Sequence, residues 1–260
     1  MSEATLLPEQ RPRRFHFEWT LPTFIRPRHT FKQISLETRG VWQTAILILT
    51  LTAILNVVGA GLIRQSDPAA SQVELPPDFE YYTPEMQAQY MQAAQLTSGP
   101  VFVYVFPAIT GVLGVWIGWL IVGGLVHLLL TLLGGRGSTT HTMNIAAWAM
   151  LPLALRDLVR LAATVIGGHA ITSPGVSGFI AADAAGFSLY LKHLLGLVDL
   201  YVVWRIALLI IGVQAGDSLP AGRVIVSISI LMILLLLAQA ALGFLVGSLG
   251  SLTVVRPFFF

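Results

Sequence analysis

The chain of 260 residues contains no cysteine. That absence excludes a disulfide framework, a thiolate nucleophile and an iron–sulfur cluster. Charge is scarce as well. Asp, Glu, Lys and Arg make up 11% of the chain, against roughly 25% in a typical soluble domain. Apolar types reach 55%, and so few charges cannot cover the surface of a soluble protein of this size. No apolar h-region follows Arg11, Arg13 and Arg14, so no cleavable signal peptide is expected. Insertion is then directed by the first spanning segment. No Ser/His/Asp, HExxH, P-loop or dinucleotide motif appears, and no two histidines have the i, i+4 spacing of a helical metal pair. His127 and His193 fall at different depths, which argues against a two-histidine haem. No enzyme activity, cofactor, metal or nucleic-acid partner is expected.

What the chain does have is long apolar runs: Val41–Ile63, Val101–Leu133, Met143–Ile166, Leu194–Val213 and Val224–Val246. A bilayer core of about 30 Å needs about 20 apolar residues in helix. All five runs meet that length. The expected fold is an all-α integral membrane protein, a bundle of five transmembrane helices. Three regions follow: a basic cytoplasmic segment 1–40, a membrane domain 41–247 and an apolar outer tail 248–260.

Seven basic residues precede the first run: Arg11, Arg13, Arg14, Arg26, Arg28, Lys32 and Arg39. The connection 64–100 has one basic residue, Arg64, against five acidic ones. Basic residues mark the cytoplasmic side, so the N-terminus is expected inside and, after five crossings, the C-terminus outside. Arg28–Arg39, with Phe31, Ile34 and Leu36 among charges, reads as an interfacial helix on the cytoplasmic leaflet or as a solvated linker. In the first outer connection Thr83, Pro84 and Glu85 form a helix start. Met86, Tyr90, Met91 and Ala94 would then share a face. The second, Gly167–His193, is too apolar for a loop, and a half-buried interfacial helix is expected over Gly178–Lys192. Val101–Leu133 would be about 50 Å of helix, so it must tilt, kink at Pro107 or extend beyond the lipid.

Two glycine pairs, Gly114 with Gly118 and Gly243 with Gly247, have the spacing that lets helix backbones approach closely. They serve packing within the monomer or contact between subunits. The third run carries Arg156, Asp157 and Arg160, and the fourth Asp199 and Arg205. Such residues inside a membrane are costly and must be paired, hydrated or turned toward headgroups. Counting 1.5 Å per residue from the outer ends puts Arg160 level with Asp199, and Asp157 level with Arg205. Asp199 and Arg205 lie six residues apart, about 120° around a helix, so both cannot face one contact line. Three arginines against two aspartates leave one positive charge, for which Arg156 is the candidate. Ion-pair lock, transport path and lipid site are the open readings. The tail ends in Arg256, Phe258, Phe259 and Phe260. With Phe31 and Lys32, these are candidate contacts for lipid or a partner subunit.

Several short stretches also resemble one family. Pro27-Arg28-His29-Thr30-Phe31-Lys32-Gln33-Ile34 resembles the entry motif of prokaryotic Yip-family membrane proteins. Leu132-Leu133-Gly134-Gly135-Arg136-Gly137-Ser138 is similar to that family's inner turn after the second span. Ala146-Ala147-Trp148-Ala149-Met150-Leu151-Pro152, Trp204 through Gly212-Val213, and Ala221-Gly222-Arg223 follow in the family's order. The resemblance covers 28–246 and implies an N-in, C-out five-helix bundle. Eukaryotic relatives act in vesicle traffic with small GTPases and curvature-shaping proteins. This chain departs from them in its short N-terminal region, and that role is not carried over. The resulting expectation is a non-enzymatic membrane protein that scaffolds or assists a larger complex, in a prokaryotic plasma membrane. A transporter subunit and an anionic-lipid-binding or bilayer-shaping protein are the alternatives.

Overall fold

The computed structural model describes residues 14–66, 75, 78–97, 99–169, 171, 173–181, 184–216 and 219–252. Among these the regular elements are all helical. Three helices are long and apolar enough to cross a membrane: α3 (Gln43–Ser66), the stretch Val101–Leu132 and α10 (Ala221–Leu252). The stretch Val101–Leu132 is not one uniform helix. A π-helical turn, Val101–Val105, precedes α5 (Phe106–Leu132), with Pro107 in the first turn of α5. Pro there removes an amide that has no helical partner anyway.

The other two apolar runs are interrupted. Met143–Ile166 divides into α6 (Thr139–Ala149) and α7 (Leu151–Gly167), which meet at Met150. Pro152 in the first turn of α7 cannot continue the hydrogen-bond ladder of α6. Leu194–Val213 is not a single straight helix either. It belongs to α8 (Phe187–Leu197) and α9 (Leu200–Gly216), which are bent by 61°. The pair counts as a fourth crossing if it is one broken span. The interfacial helix expected over Gly178–Lys192 is instead a short 3-10 turn, Ser177–Phe179, followed by α8. In the first connection α4 (Pro84–Thr97) starts as expected, with Thr83 Oγ1 accepting from Met86 N–H at 3.4 Å.

The core lies around α6, of whose eleven residues only Thr139, Thr140 and Met143 are not buried. Trp148 is fully buried and donates its indole N–H to the Val41 carbonyl at 3.0 Å. Asn144, also fully buried, accepts from Val41 N–H at 2.9 Å and donates to the Arg39 carbonyl at 2.8 Å. The non-helical link before α3 thus finds its backbone partners on one side chain, as a buried backbone must. All six tryptophans make ring contacts: Trp19 with Trp148, Trp42 with Trp116 and Trp119, and Trp204 with Phe24. Trp119 donates to the Met143 carbonyl at 2.9 Å, fixing α5 on α6.

Two short helices, α1 (Thr20–Ile25) and α2 (Pro27–Leu36), fold into this core. Phe31 and Ile34 are fully buried and Lys32 is exposed. The helix expected on the leaflet therefore turns its apolar residues into the bundle, against α6 and α9. Gly212 on α9 permits the approach, since a Cβ there would meet Ile145 and the Phe31 ring.

Candidate functional site

The charged residues of α7 and α9 come together at the break between α8 and α9. Asp199 stands in that break and serves both sides of it. Its Oδ1 accepts from Val202 N–H at 2.9 Å, which caps the first turn of α9. Its Oδ2 accepts from Arg160 Nη2 at 3.4 Å and lies 3.7 Å from Arg156 Nη1. Arg156 Nε is also 3.6 Å from Asp157 Oδ1. One turn of α7 thus supplies two guanidiniums to one carboxylate of α9. Both aspartate side chains are 13% exposed. In such surroundings a carboxylate is kept charged by its ion pairs rather than by water.

The break has a second support. Gly175 has φ +61 and sits against the last carbonyls of α8; a Cβ there would lie 2.7 Å from the Leu195 and Val198 oxygens. Val176 N–H donates to the Leu195 carbonyl at 3.1 Å. Ser177, also buried, donates its hydroxyl to the Pro174 carbonyl at 2.6 Å. The loop therefore closes the C-terminus of α8 while Asp199 closes the N-terminus of α9. A broken helix in lipid requires both, because exposed backbone groups have no water to bond.

Five charges were expected to matter, and four form this cluster. Arg160 does pair with Asp199. The expected surplus cation was Arg156, but Arg156 lies between Asp157 and Asp199. Arg205 is the one left over. It does not reach Asp157, and its Nη2 is buried with no hydrogen-bond partner among the described residues. The glycine pairs separate. Gly243 and Gly247 receive the His193 ring of α8, with a built Cβ 3.1 and 3.3 Å from its nitrogens. Tyr190 adds a hydroxyl bond to the Leu237 carbonyl at 3.3 Å, so α8 lies on α10. Gly114 and Gly118 meet nothing within 4 Å and pack on no other helix of the described chain. Phe31 is a core residue, not a lipid or partner contact. Arg256, Phe258, Phe259 and Phe260 lie outside the described residues.

Three site residues were not foreseen: Asn144, Gly175 and, in its capping role, Asp199. Each left a signal. Asn144 is a lone amide in an apolar run, Pro174-Gly175 is a turn dipeptide, and Asp199 precedes an apolar helical run as an N-cap does. The Yip1 domain family model matches residues 22–242, which includes α2, the whole cluster and most of α10. No curated protein and no solved structure matches the chain.

Proposed function

A match over that length makes the chain a member of the Yip1 domain family, and on that premise we propose that it is a non-enzymatic multi-pass protein that scaffolds or assembles a larger membrane complex. It is a membrane protein in which α6–α7 and α8–α9 complete five crossings. The N-terminus lies inside and the C-terminus outside, in a prokaryotic plasma membrane. The seven basic residues before α3 support that orientation. Its partners are membrane lipids and other membrane protein subunits. One observation carries the scaffold reading. Asp157 and Asp199, the carboxylates of the spanning runs, are both held by arginines. A path for protons or cations needs a carboxylate that can exchange its partner.

Purification in mild detergent, with cross-linking before lysis, tests this reading. A stoichiometric membrane-protein partner is expected. Deleting Pro257–Phe260 should leave topology intact and release that partner. A chain that emerges alone from every mild detergent contradicts the scaffold reading. A second reading, a transporter subunit, has the broken α8–α9 helix in its favour, because discontinuous helices build transporter sites. It predicts that Asp199→Asn abolishes a flux in proteoliposomes while the chain stays folded.

A further inference from the structure

The cluster holds three guanidiniums and two carboxylates, and its two unsatisfied donors point to what is missing. Arg205 Nη2 and Arg156 Nε are both buried without a hydrogen-bond acceptor among the described residues. The two side chains are close enough for Arg205 to feel the Arg156 charge. Neither aspartate can serve both, since Asp199 spends one oxygen on the α9 cap and the other on Arg156 and Arg160. A guanidinium surrounded by lipid persists where it is paired, hydrated or reached by a headgroup.

The cluster also opens sideways. The Arg156 and Arg160 side chains keep 23% and 27% exposure. Around them Leu158, Val159 and Val203 are exposed apolar residues on α7 and α9. A polar notch with an apolar rim suits a molecule with an anionic head and hydrocarbon tails. Depth agrees. With 17 residues, α9 is about 25 Å long, so its Asp199 end reaches the outer headgroup region when its Gly216 end lies at the inner one. Arg205 is then about 8 Å below that end, at the depth a headgroup reaches when drawn down by a buried cation. The leaflet rests on the orientation proposed above; the chemistry does not.

We propose that Arg205 and Arg156 form a binding site for the phosphate of an anionic phospholipid, entered laterally between α7 and α9. Guanidiniums recognise phosphate through paired N–H donors, and one phosphodiester cancels the one surplus charge. The site would hold independently of any protein partner.

The test uses the delipidated full chain in detergent, with thermal unfolding followed by tryptophan fluorescence. Dioctanoyl phosphatidylglycerol should raise Tm by about 3 °C or more at saturation. Dioctanoylglycerol, which lacks the phosphate, should not. Arg205→Gln should abolish the shift, and Arg156→Gln should weaken the lipid affinity about tenfold, so the site is tested even if one variant fails to fold. An equal shift from dioctanoylglycerol, or a full shift in both variants, overturns the proposal. An equal shift from inorganic phosphate keeps the anion site but overturns its assignment to lipid. A rise given by a co-purified subunit and by no lipid assigns Arg205 to a protein carboxylate and overturns it too.

Discussion

Asp199 shows how much one side chain can hold when lipid is the solvent. It ends one helix break, caps α9 and binds two arginines of α7. Breaking a buried pair costs about 3–5 kcal/mol. In Arg160→Leu, Arg156 stays on Asp199, so the loss should fall below that range. Asp199→Leu strands two guanidiniums and uncaps α9, so its loss should reach it. The double variant should recover part of the sum in a denaturation cycle; strict additivity would show that the pair carries no coupling. Asn144→Ala removes the only side-chain partners of the Arg39 carbonyl and Val41 N–H shown here, and should cost about 1–3 kcal/mol in the same assay. The Arg160–Asp199 pairing was legible from a count of residues inward from two helix ends. The partner of Arg205 was not. The count assumed that Asp199 and Arg205 lie on one straight helix, whereas Asp199 sits in the bend.

At the scale of elements, the sequence announced apolar runs but not their breaks. Hydropathy is continuous from Leu194 to Val213, so the run read as one span. The break is made instead by a carboxylate cap on one side and the Pro174–Ser177 loop on the other, contacts between segments distant in the chain. Met150 is similar: Pro152 was visible as the end of a motif, yet its effect is to start a new helix. Gly175 is the most sensitive point of this arrangement. Gly175→Ala forces a side chain into φ +61, costing about 1–2 kcal/mol, and presses it on the α8 carbonyls. The variant should unfold earlier and speed amide exchange at the start of α9, while Gly114→Ala, where nothing lies within 4 Å, should do neither. The short helix α2 was foreseen as a helix, and its burial was not. Its three apolar residues resemble a surface stripe, and only Gly212, which lies 181 positions after Phe31, reveals the slot that receives it.

For the molecule as a whole, the class was plain from composition and run length, and the family from short ordered motifs, which the match over residues 22–242 bears out. The number of crossings turns on α6–α7, whose 17-residue α7 bears Arg156, Asp157 and Arg160. The account holds that this helix pair crosses the bilayer because its charges are paired with the α8–α9 break. Single cysteines on this cysteine-free chain decide the matter through impermeant maleimide labelling in oriented membranes. Thr140 and His169, at the two ends of α6–α7, are both exposed. Thr140→Cys should label only from the cytoplasmic side and His169→Cys only from the opposite side. Labelling of both from one side would make α6–α7 a re-entrant hairpin and contradict the five-crossing bundle.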